Sequence, residues 1–189
     1  MKFKNKIELY GEILTEPEVV KEKEPYSVYG FKIAVRRLSG KCDYLPVLAL
    51  ECSLCGHKGD VVKLVGKIKS AIVGDRLKHR IYCMSMELAE DRPGRNNQLT
   101  FGGVVVLEPW YEKTSDGKEC TIVTLKNENG CMPIAFFGWD SHSTRYIEKG
   151  TKIEAFGRLE DVVLRRTQVH KYTRYRMATL KWKVLREVD

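Results

Sequence analysis

At 189 residues, 43% of them hydrophobic, the chain is long enough to bury one or two cores. Its 33 basic and 25 acidic residues leave a net charge of +8, which favours a polyanionic partner. No apolar run approaches the ~20 residues needed to cross a bilayer. The basic start, Met1-Lys-Phe-Lys-Asn-Lys-Ile-Glu-Leu, lacks the apolar stretch of a signal peptide. Six cysteines without such a signal are expected to be reduced thiols in a cytoplasmic protein.

Ile7 and Leu9 alternate with Lys6, Glu8 and Tyr10, predicting a first strand that runs through Gly11 to Leu14. Glu16-Pro17 ends it, and Lys21 to Pro25 reads as a solvated loop. Phe31, Ile33 and Val35 alternate with Lys32, Ala34 and Arg36, a second strand with one wet face. Ser39-Gly40 turns the chain. Leu45, Val47 and Ala49 then point one way, and Tyr44, Pro46, Leu48 and Leu50 the other. A fourth strand follows Lys58-Gly59 and runs to about Lys69. A fifth spans Lys78 to Glu90, with Ile81, Cys83 and Ser85 opposite Tyr82, Met84 and Met86.

Residues 91–96 mix charge, Pro and Gly and are the expected linker between a unit at 1–90 and another at 97–189. Leu99 and Phe101 start the second unit, and Asp116-Gly117 is a hairpin signal. Strands are predicted at Cys120 to Leu125 and Cys131 to Phe137. Asp140 is expected to cap a short helix through Tyr146 and Ile147. Strands from Lys152 to about Arg165 and from about Tyr172 to Leu185 close the unit.

The second unit repeats the first. Lys58-Gly59-Asp-Val-Val62-Lys-Leu64-Val-Gly66-Lys67-Ile68 returns as Lys149-Gly150-Thr-Lys-Ile153-Glu-Ala155-Phe-Gly157-Arg158-Leu159. Asn5, Gly11 and Pro17 recur as Asn97, Gly103 and Pro109, each 92 positions on. The second Gly of the motif marks a bend or a close backbone approach. Five strands, with a helix between the third and fourth in the second copy, is the element order of an OB-fold. The expected architecture is all-β: two tandem five-stranded Greek-key barrels.

This pattern resembles the bacterial single-stranded DNA-binding protein family. Shared are Asn-x-apolar-x-apolar-x-Gly with Pro six positions later, an alternating second strand ending in Arg, a Pro-containing third strand, and the Lys-Gly motif. In the second copy the likeness extends to Ile134-Ala-Phe-Phe137-Gly138. Such family members usually carry one barrel and form tetramers, so the resemblance implies a homodimer with four barrels. The family's acidic tail is not matched by Leu185-Arg-Glu-Val-Asp189, and recruitment through a tail is not expected. In the first copy Cys52-Ser-Leu-Cys55-Gly-His57 replaces the helix. The family's third-strand stacking aromatics are matched by Tyr44 and Phe137; their repeat partners are Cys131 and Leu50.

A binder of single strands needs cations for phosphates and aromatic rings for bases. The second copy mixes both between its last two strands: Arg158, Arg165, Arg166, Lys171, Tyr172, Arg174, Tyr175 and Arg176, with Glu160 and Asp161 as the few acids. In the first copy Lys67, Lys69, Arg76, Lys78 and Arg80 form a shorter arm. Phe137, on the strand face opposite Met132, Ile134 and Phe136, is expected to stack on a base, and Tyr44 likewise. Trp110 and Tyr111 either fold over a ligand or serve packing or a subunit contact. Trp139 either stacks or braces the helix start. Trp182 reads as core, and Arg36 and Arg37 as phosphate contacts.

Cys52, Cys55 and His57 offer three of the four ligands that zinc needs, and small apolar thiols in a shortened loop are the simpler reading. No catalytic motif is present, and His57, His79, His142 and His170 are scattered. The sequence therefore predicts a non-enzymatic binder of single-stranded DNA, without cofactor, membrane or small-molecule substrate. The competing expectation is a protein-interaction module, such as a primosome or assembly accessory, that kept the barrel and lost its groove.

Overall fold

A computed structural model describes residues 2–22, 24–90, 95–114, 116–165 and 172–185, and of residues 163, 165 and 172 only the backbone. Most of the expected linker, together with Arg166 and Lys171, lies outside the described residues. Two compact units emerge: Lys6–Lys69 with His79–Gln98, and Met1–Asn5 with Ser70–Lys78 and Leu99–Asp189. They are the first and the second barrel.

The first repeat forms β1 (Asn5–Ile13), β2 (Glu18–Lys21), β3 (Val28–Arg36), β4 (Cys42–Leu50), β5 (Val61–Val73) and β6 (Arg76–Leu88). Spatial order is β2-β3-β4-β6-β5-β1, and β1 returns to pair with β3. β4 and β6 run parallel, Val47 opposite Ile81 and Leu48 opposite Tyr82. That closure is the five-stranded Greek-key barrel, with β2 as a short extra edge. The core is the alternating set expected: Ile7, Leu9, Ile33, Leu45, Val47, Ala49, Leu64 and Ile81 are almost wholly buried. Where the second repeat has its helix, a single 3-10 turn spans Glu51–Ser53.

The second repeat supplies β7 (Asn97–Val105), β8 (Trp110–Lys113), β9 (Glu119–Asn127), β10 (Gly130–Phe137), α1 (Trp139–Thr144), β11 (Lys152–Arg165) and β12 (Tyr172–Val184). Their order, β7-β11-β12-β10-β9-β8 with β7 back on β9 and β10 parallel to β12, repeats that of the first. Phe101, Leu99, Leu125, Ile134 and Phe136 fill this core, and Trp182 packs edge-on to Phe136 at 5.5 Å between ring centroids. The helix departs from expectation. It stops at Thr144, and its N-cap is Gly138 in a left-handed conformation (φ 58°) with no capping side chain. Asp140 sits instead inside the first turn, where its charge suits the helix dipole.

The repeated glycines explain the closure. β1 and β7 each leave one neighbour for another, and a strand shared by two sheets must bend. A Cβ on Gly11 would lie 2.3 Å from the Ala34 carbonyl oxygen, and one on Gly103 2.7 Å from that of Lys126. Gly66 meets the Tyr82 carbonyl at 2.3 Å and Gly157 the Ala178 carbonyl at 2.0 Å, the latter at a register shift between Phe156 and Gly157. Backbone leaves no room there for any side chain.

Gly66→Ala and Gly157→Ala should each destabilise the protein by about 1–3 kcal/mol, since the obstructing atom is main chain. At this chain length that lowers Tm by roughly 2–4 °C per kcal/mol in a thermal melt. Leu38→Ala, at an exposed position, should leave Tm within a degree or so.

Candidate nucleic-acid interface

Pairing register decides which side chains share the outer face of each barrel, because residues directly opposite on neighbouring strands point the same way. In the first barrel Ala34 faces Tyr44, Arg36 faces Cys42, Lys32 faces Pro46, and Leu48 faces Tyr82. Tyr44 is 47% exposed and Tyr82 38% exposed, on one continuous surface with Lys32 and Arg36. The Lys69 ammonium lies 4.2 Å from the centroid of the Tyr82 ring, and Arg80 is exposed two residues before it. Lys67 is half-buried on β5. Arg37 does not join this surface: its Nε donates to the buried Asp43 Oδ2 at 2.8 Å, and a second guanidinium nitrogen pairs with Oδ1.

The matching face of the second barrel is closed. Cys120 and Phe137 are opposite each other, as are Ile122 and Ala135, and Ile122 and Trp110. Cys120, Ile122 and Ala135 are buried in one apolar cluster against which Trp110 and Phe137 pack, both half-buried. Burial pushes the Cys120 thiol up to about 11. Phe137 thus lies on the face away from Met132, Ile134 and Phe136, as the alternation implied, yet its ring is packed rather than standing clear.

Among the described residues, three arginines of the basic arm pair with its own two acids. Arg176, 8% exposed, donates to Glu160 Oε2 at 3.1 Å, while Arg158 donates to Glu160 Oε1 at 2.9 and 2.7 Å. The Arg176 guanidinium also lies 5.2 Å from the Phe137 ring centroid. Arg174 grips Asp161 with two bonds of 2.7 Å, and that pairing raises its already high pKa further. Tyr175 is buried beneath Arg174 at 5.7 Å. Of the arm residues, the side chains of Arg165, Arg166, Lys171 and Tyr172 lie outside those described. The two acids the sequence offered therefore sit where they engage three of its arginines.

Tyr111 donates its hydroxyl to Glu119 Oε1 at 2.7 Å, with the Arg145 guanidinium 3.8 Å from its ring centroid and His142 Nε2 2.7 Å from Glu119 Oε2. The hydrogen bond raises the Tyr111 pKa and lowers that of Glu119. Tyr111 thus has a packing and hydrogen-bonding role in this conformation. Trp139 is 87% exposed at the start of α1, so it does not brace the helix by burial.

No protein-family model and no curated protein matches the chain. Among solved structures it is similar to the wild-type single-stranded DNA binding protein from Thermus aquaticus, with 16% identity and a TM-score of 0.79 over 100% of this chain and 96% of that one. A deletion mutant of the same Thermus aquaticus protein gives 0.75 at 16% identity, over 100% and 97%. The chain is a tandem OB-fold.

Among the described residues no three His, Cys, Asp or Glu side chains gather to hold a metal. Cys52 is exposed and Cys83 buried, its thiol pushed up to about 11, while the His57 imidazole lies near Glu16 at 3.8 Å. The residue that sequence reasoning missed is Tyr82; its companion Lys69 was part of the basic arm expected in the first copy. Part of the signal was present: Tyr82 alternates with the core residues Ile81 and Cys83 and so had to face outward.

Glu160→Ala should strand the buried Arg176 charge and cost about 3–5 kcal/mol in urea unfolding. Asp161→Ala removes the partner of an exposed arginine and should cost about 1 kcal/mol or less. Equal costs would contradict the burial difference between the two pairs.

Proposed function

We propose that this protein binds single-stranded DNA without strong sequence preference, through the outer face of an OB-fold barrel, in replication, recombination or repair. The observation that carries this reading is the pair Tyr44 and Tyr82, exposed on one strand face with Lys69 over the second ring and Lys32, Arg36 and Arg80 on the same barrel. Base–aromatic stacking is worth about 1–3 kcal/mol per base and is blind to sequence, and cations beside the rings meet the backbone charge. The full-length likeness to a Thermus aquaticus protein named for binding single-stranded DNA supports the same assignment. The chain is a binder rather than an enzyme. It works in the cytoplasm as a homodimer presenting four barrels, and none of its described helices is long and apolar enough to cross a membrane.

A protein-interaction role has one observation in its favour: the edge strand β2 exposes Val19 and Val20 beside an unshared edge. Titrating oligo-dT across a salt series separates the two. Single-strand binding predicts a log–log slope of about −0.7 per phosphate neutralised, or about −3 for four contacts. Absence of binding at low salt leaves only the interaction module.

A further inference from the structure

We infer that the two repeats have divided the work: the stacking face belongs to the first barrel alone, and the corresponding face of the second is closed by its own side chains. One chain then offers one site, not two. This rests on the single-strand-binding reading above and specifies which half carries it.

The barrel-closing glycines align the two faces without appeal to overall similarity. Gly66 abuts the Tyr82 carbonyl and Gly157 that of Ala178, while Gly11 abuts Ala34 and Gly103 abuts Lys126. Tyr82 therefore corresponds to Ala178. Ala34 lies opposite Tyr44 and Lys126 opposite Cys131, so Tyr44 corresponds to Cys131. Both stacking rings of the first barrel are small side chains in the second. Counting outward from the same anchors, Lys69 becomes Glu160, Arg36 becomes Glu128 and Lys32 becomes Thr124. Arg80 has an arginine counterpart, Arg176, but that guanidinium is buried against Glu160.

The backbone at the position equivalent to Tyr44 is also held by a neighbouring segment. Ser70, in the hairpin segment assigned to the second barrel, accepts a bond from the Cys131 amide at 2.7 Å through Oγ and donates its own amide to the Asn129 carbonyl at 3.0 Å. Gly130, at φ 116°, makes room for it, since a Cβ there would lie 2.2 Å from the Ser70 hydroxyl. Leu77 and Thr173 continue the contact as a parallel strand pair.

The test combines stoichiometry, substitution and mapping on the full chain. With a dT oligonucleotide of about 8 nucleotides, within the ~4–16 that one OB-fold accommodates, one oligonucleotide should bind per chain. Tyr44→Ala and Tyr82→Ala should each weaken binding roughly 5- to 150-fold, the range that 1–3 kcal/mol of stacking implies. Phe137→Leu and Trp139→Ala should stay within about twofold. Amide hydrogen exchange, which needs no substitution, should show oligo-dT protecting residues 28–50 and 79–84 and leaving 119–137 and 173–180 unchanged. Two oligonucleotides per chain, comparable losses at Phe137 and Tyr82, or protection of both faces would overturn the division while leaving single-strand binding intact. No binding by the unsubstituted chain would overturn both.

Discussion

Main-chain carbonyls pressed against four glycines set the form of this molecule. Because the Ala34, Tyr82, Lys126 and Ala178 oxygens approach Gly11, Gly66, Gly103 and Gly157 too closely for a side chain, one strand in each repeat can serve two sheets and the sheet can close. Closure gives every strand an inside and an outside. The inside takes Ile7, Leu9, Leu45 and Leu64 in one barrel and Phe101, Leu125, Ile134 and Phe136 in the other. What remains on the outside takes no part in the barrel core and can diverge between copies.

Divergence is what the outer faces show. In one, Tyr44 and Tyr82 are exposed among lysines and arginines. In the other, a carboxylate at position 160 draws in two guanidiniums, and Trp110 and Phe137 seal an apolar floor over Cys120 and Ile122. Where acids stand opposite, as Glu160 and Asp161 do, the arginines they pair with are held by those contacts. The low exposure of Glu160 and Arg176 means that their pairing is screened little by salt, unlike the Lys69–Tyr82 contact at the surface.

Much of this was legible before any coordinates. Period-two alternation gave the strands and their inward residues, and the spacing of Gly11, Gly66 and their counterparts gave the duplication and the bend. The pairing of the arm's arginines was not legible, for a physical reason. Glu160 and Arg176 are 16 residues apart, and their meeting depends on a strand register that shifts between Phe156 and Gly157 and again between Asp161 and Leu164. Composition near a hairpin cannot reveal such pairs. Tyr82 escaped notice because alternation says that a residue faces outward but not what lies beside it; the parallel pairing with Leu48 places it on the Tyr44 surface. The helix cap failed because Gly138, not Asp140, makes the turn into α1.

Photocrosslinking tests the central claim directly, since it reports the residue touching a base without altering the protein. With a halogenated single-stranded oligonucleotide and peptide mapping, the account predicts adducts at Tyr44 or Tyr82. Adducts concentrated at Phe137, Tyr175 or their neighbours, with none at the two first-barrel tyrosines, would contradict it.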